Sequence, residues 1–98
     1  MRKVVPVPFP TEPLVMSAKD LGRFARAART QSALTLETAA LALGVSKQTL
    51  QDMETGKPTV GLGMALRILD GLGVAIFAQP ARLKERARRR LMESSHEA

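Results

Sequence analysis

The stretch TLETAALALGVSKQTLQDME, residues 35–54, leaves the chain few ways to fold. Ala39, Ala40 and Leu43 recur at helical spacing, Gly44 stops that helix and lets the chain turn, and Ser46 is placed to cap a second helix carrying Leu50 and Met53. The first helix is nearly all small and apolar, which suits close approach to neighbours. The second leaves Lys47, Gln48, Thr49 and Gln51 off its apolar line. This is a helix-turn-helix pattern, and a helix so furnished reads base edges in a major groove.

The rest of the composition agrees with a helical body. Hydrophobic residues make up 45% of 98, enough for one modest core, and the only aromatics are Phe. A core of Leu, Ala, Val and Met favours a compact all-α bundle of four to five helices over a sandwich. The formal charge of +6 points to a polyanionic partner, with nucleic acid ahead of a membrane surface. The absence of Cys excludes a disulfide framework and thiolate metal sites, and His96 alone cannot bind zinc. Pro6, Pro8 and Pro10 interrupt what would have to be the apolar core of a signal peptide, and no apolar run approaches a membrane span, so a cytoplasmic protein is expected.

Taken in order, residues 1–16 read as an extended, proline-rich arm. In a strand, Pro6, Pro8 and Pro10 remove donors from one edge only and leave those of Val5, Val7 and Phe9 on the other. The arm is therefore either a one-sided edge strand or a terminus without a role. Residues 17–79 form the helix-turn-helix domain. Ser17 and Asp20 resemble a capping box, with Leu21, Phe24, Ala25 and Ala28 forming the stripe of a helix that runs to about Thr30. Arg23, Arg26 and Arg29 lie off that stripe, on a solvated face or at phosphates. Thr35 caps the next helix and Glu37 suits its dipole. After the recognition helix, Thr59 is the expected cap of a fourth helix with Leu62, Leu66 and Leu69 on its stripe, ended by Gly71 and Gly73.

VAIFAQ, residues 74–79, reads as one short strand closed by Pro80. A lone strand needs a partner, and a second copy of the chain supplies one across a two-fold axis. Val74, Ala75, Ile76, Phe77 and Ala78 are accordingly the dimerisation residues. Residues 80–98 form a basic helical tail in which Leu83, Ala87 and Leu91 make a thin apolar line among six Arg and Lys. That tail serves either phosphates or an acidic protein surface.

R-x5-T at Arg29 to Thr35, the paired alanines, GVS at residues 44–46, L-x-x-x-E-x-G-K at Leu50 to Lys57 and LGV at residues 72–74 together resemble the phage-repressor-like (Xre) helix-turn-helix proteins. The segment GKPTVGLGMALRILDGLGVAI, the short strand and the basic tail are similar to the HipB-type antitoxins among them. The resemblance implies a homodimer with an intermolecular sheet, an operator that is an inverted repeat in double-stranded DNA, and a HipA-like kinase toxin as partner. It further implies that Arg29 and Glu54 form a structural ion pair between the first helix and the end of the third. One residue departs from the family, which has Gln where this chain has Leu36. A phosphate contact is lost there, and base recognition leans on Thr35 and the third helix.

Within that helix, Gln48 suits adenine N6 and N7, Lys47 guanine or a phosphate, and Thr49 a thymine methyl or a phosphate. Gln51 is a further base contact, Ser46 a cap with spare capacity for a phosphate, and Arg23 and Lys57 are phosphate contacts. No catalytic constellation, phosphate loop or cofactor fingerprint is present, so no enzyme, cofactor or metal is expected. The expected function is a DNA-binding repressor, the antitoxin of a toxin-antitoxin pair that autoregulates its operon. The alternatives are a stand-alone repressor and an interaction subunit that no longer binds DNA.

Overall fold

The computed structural model describes residues 3–80, which hold four helices: α1 (Ala18–Gln31), α2 (Leu36–Leu43), α3 (Lys47–Thr55) and α4 (Leu62–Gly71). Each of the first three starts on a hydroxyl side chain. Ser17, Thr35 and Ser46 accept the N–H of Asp20, Thr38 and Thr49 respectively, so an otherwise orphaned donor is satisfied in each case. At α1 the reciprocal bond falls one residue earlier than a capping box: Asp20 Oδ2 accepts Met16 N–H at 2.8 Å. That backbone bond, helped by Ser17 and by the nearby Arg23 guanidinium and opposed by desolvation, holds the Asp20 carboxyl below its ordinary pKa.

The core consists of Ala25, Ala39, Ala40, Leu50, Met53, Ala65, Ile68 and Leu69, edged by half-buried Leu21, Phe24, Leu34, Leu36, Leu43 and Val45. Alanines on α1 and α2 bring the backbones close, and the most extensive packing is α1 on α3. Gly22 permits this: a Cβ there would stand 2.5 Å from the carbonyl oxygens of Met53 and Glu54. In the turn between α2 and α3, Gly44 adopts φ 71°, a left-handed conformation that L side chains rarely take, and Val45 N–H reaches back to Ala40 O at 3.0 Å. Arg67 of α4 donates to Leu43 O at 2.8 Å, setting a cation on the negative end of α2.

The fourth helix departs from expectation at both its start and its face. Its cap is Gly61 with no side-chain bond, because Lys57 to Val60 form a turn of their own, closed by Val60 N–H on Lys57 O, which leaves Thr59 exposed. Ala65, Ile68 and Leu69 face the core, whereas Leu62 and Leu66 lie on a solvent-facing flank. Of the expected stripe only Leu69 is in the core, where Ala65 and Ile68 take the places expected of Leu62 and Leu66.

Among the described residues there is no strand. Residues 74–79, expected as one, follow α4 without regular structure, and the N–H of Val74 is already committed to Leu69 O at 2.8 Å as part of the helix end. The arm is neither an edge strand nor loose. Val7 N–H donates to Thr30 Oγ1 at 2.9 Å, Gln31 Nε2 donates to Val7 O at 2.9 Å, and the Phe9 ring packs on Phe24 with centroids 6.4 Å apart. Of the edge left with donors, Val7 is docked on helix side chains instead of on a strand. The tail, the fifth helix expected within it, and His96 lie outside the described residues.

Candidate nucleic-acid interface

The third helix places its first turn outward because Leu50 and Met53, one turn further on, are held in the core. Lys47, Gln48 and Gln51 are exposed, and Ser46 stands at the turn before them. Ser46 Oγ accepts Thr49 N–H at 3.0 Å and donates to Thr49 Oγ1 at 2.8 Å, so both hydroxyls stiffen the start of the helix. Thr35 does the same for α2, accepting from Thr38 N–H at 3.1 Å. Each retains an acceptor lone pair for a further donor; what either would donate to a phosphate is already engaged.

Charged partners organise this surface. Lys47 Nζ lies 2.8 Å from Glu37 Oε2, which joins the first turns of α2 and α3. Gln48 Nε2 donates to Asp52 Oδ1 at 2.8 Å one turn along, and Lys57 Nζ stands 3.8 Å from the same oxygen. A carboxylate only accepts, so the amide nitrogen of Gln48 must face Asp52. The second N–H and the carbonyl oxygen of Gln48 stay open, the donor and acceptor that an adenine edge requires. Glu37 and Asp52 also offset the charge of Lys47 and Lys57. Most of the formal charge of +6 comes from outside residues 3–80.

The remaining expected residues separate into two places. Arg23 does not join Lys47 and Gln48; it lies 3.8 Å from Asp20 and lines a groove of about 580 Å³ under the arm, with Pro8, Pro10, Phe24, Arg26 and, from the far end of α3, Glu54. Arg29 and Glu54 form a two-point ion pair, Nε to Oε2 at 2.6 Å and Nη2 to Oε1 at 3.0 Å, and their side chains are 9% and 6% exposed. Arg29 Nη1 also donates to Leu34 O at 2.7 Å, so the guanidinium binds the α1–α2 turn as well. Leu36, the departure from the resembled pattern, is not bare on the surface: it is half-buried and packs against the core.

Three residues carry roles that sequence reading missed. Glu37, placed to suit the dipole of α2, also partners Lys47, and Asp52 orients Gln48 and meets Lys57. Thr30, near the end of α1, is buried and anchors the arm. Only the i, i+4 spacing of Gln48 and Asp52 was a readable signal. Elsewhere the partners are brought together by the fold.

Among the described residues no cluster of His, Cys, Asp or Glu could hold a metal ion, and no helix is long and apolar enough to cross a membrane. No curated protein matches the chain. A helix-turn-helix domain model matches residues 20–76, which take in α2, α3, α4, all of α1 but its first two residues, and every residue of the α2–α3 surface described above. With more than half of its length matched and this surface in place, the chain belongs to the helix-turn-helix family of DNA-binding domains.

Proposed function

We propose that the chain is a sequence-specific transcriptional repressor that binds an inverted-repeat operator as a homodimer in the cytoplasm, by binding alone and without catalysis. The observation that supports this best is the exposed first turn of α3, where Gln48 is oriented by Asp52 with a donor and an acceptor free. Selection from a random pool of duplex DNA tests it. The wild-type chain should enrich an inverted repeat, and Gln48→Ala should lose about 1–3 kcal/mol of discrimination at one position of each half-site. An unchanged preference would remove α3 as the reader.

The exposed apolar side chains around α4 support the dimer. Leu62 is 68%, Leu66 43%, Ile76 42% and Phe77 84% exposed, a concentration that an isolated chain has little reason to keep in water. A second copy that pairs through residues 74–79 would cover them and set two recognition helices about one turn of DNA, or a multiple, apart.

A narrower role is that of a HipB-type antitoxin with a HipA-like kinase partner, resting on the resemblance of residues 56–76 and the arginine-rich tail. A pull-down with the full chain from its host should recover the kinase together with DNA. Recovery of DNA without kinase leaves an autonomous repressor, and binding of kinase without DNA leaves an interaction subunit.

A further inference from the structure

The arm is docked in a fixed direction. Its Phe9 ring lies on Phe24, in the middle of α1, and Val7 is held through both its N–H and its C=O by Thr30 and Gln31, at the end of α1. Six residues of helix between these anchors cover about 9 Å. The two residues of arm that match them cover about 7 Å of extended chain. The arm therefore runs antiparallel to α1, and from Val7 back towards Lys3 it passes beyond Gln31 to the side of the α1–α2 turn.

That side carries the first turn of α2. Four more residues from Val7 to Lys3 span about 13 Å when extended, enough to clear the turn. Val4 is half-buried although Val5 beside it is largely exposed, so the segment before Val7 is not wholly in solvent. Beyond the turn, Thr35 caps α2 and Glu37 meets Lys47 at the first turn of α3. The arm thus heads for the flank of the recognition surface.

Proline chemistry explains why the arm stays single. Pro6, Pro8 and Pro10 alternate with Val5, Val7 and Phe9, so the edge turned away from α1 has no N–H to offer and cannot recruit a strand. The ring-fixed φ angles also keep the segment extended at low entropic cost. Lys3 at its end is exposed and forms no ion pair among the described residues.

We propose that the arm is a second DNA-contacting element, which carries Lys3 to the phosphates beside the start of α2. This rests on the DNA-binding reading above. It also supplies what that surface lacks, since Glu37 and Asp52 offset the lysines of the recognition face and Leu36 offers no polar group to a phosphate there.

The test uses the full chain and a duplex already selected from a random pool by the wild-type protein. Failure of the wild type to select any duplex would count against DNA binding itself, and is seen before any variant is made. On the selected duplex, Lys3→Ala should make the plot of log affinity against log salt shallower by about 0.9 per protomer and leave the preference among base substitutions unchanged. Lys3→Arg should restore the slope. Thr30→Val keeps the side-chain shape and removes the acceptor of Val7 N–H, so it should release the arm and flatten the slope similarly with the helical circular dichroism retained. A Lys3→Ala protein with the wild-type slope would overturn the inference, and because Lys3 is exposed this variant does not depend on refolding. A wild-type slope in Thr30→Val beside a lowered one in Lys3→Ala would overturn docking on α1 as the means of delivery.

Discussion

Arg29 shows how much one side chain can organise here. Its guanidinium makes two bonds to the Glu54 carboxylate and a third to Leu34 O, so one buried cation joins the end of α1, the end of α3 and the intervening turn. Buried ion pairs gain little over apolar packing, but breaking one strands a charge in a poorly solvated site. Glu54→Ala should therefore destabilise the fold by about 3–5 kcal/mol in chemical denaturation, and replacing both residues by apolar ones of similar volume should recover much of that. A Glu54→Ala variant that melts with the wild type would show the pair to be hydrated in solution. The pairing of Arg29 with Glu54 was legible only through resemblance, because no local rule links positions 25 residues apart. Leu34 O was not legible at all: it becomes an acceptor once Ala33 takes φ 59° and the turn closes back on Arg29.

At the scale of the element, starts and stops were readable and contact faces less so. Ser17, Thr35 and Ser46 cap the helices as expected because capping is a contact between residues three apart, which needs no tertiary context. The start of α4 was misread because Val60 is drawn against the core, and its preceding turn uses the residues that would have made the cap. Gly22 is the converse case, a helix-interior glycine that local propensity counts only as a cost. Packed against the Met53 and Glu54 carbonyls, it is what lets α1 and α3 meet. Gly22→Ala should therefore destabilise by about 1–3 kcal/mol in urea denaturation despite its better helix propensity, since backbone cannot yield as a flexible side chain can. An equal or higher midpoint would mean that the two helices separate readily.

At the scale of the whole molecule, four exposed large apolar side chains, Leu62, Leu66, Ile76 and Phe77, lie on α4 and the residues after it. The proposed dimer accounts for them, and the same surface supplies its test. Phe77→Asp, or Pro at Ile76, should give a monomer in sedimentation at micromolar concentration and should weaken operator binding with it, because two half-sites are then no longer bound as one unit. A dimer that survives both changes would move the interface elsewhere. Charge is likewise divided on this scale: the recognition face is nearly balanced, and the excess lies towards the two ends of the chain.

By itself the sequence determined the four helices, the turn at Gly44 and the outward first turn of α3, since each follows from spacing, capping or a left-handed glycine within a few neighbouring residues. Only the tertiary structure decided that Lys47 meets Glu37, that Thr30 holds the arm, that Arg23 lies beneath that arm away from Gln48, and that Leu36 turns into the core. The physical reason is common to all four. Local conformation depends on dihedral preferences and near hydrogen bonds, whereas these partners come from separate elements and meet only after the core of small residues has set how closely the helices approach.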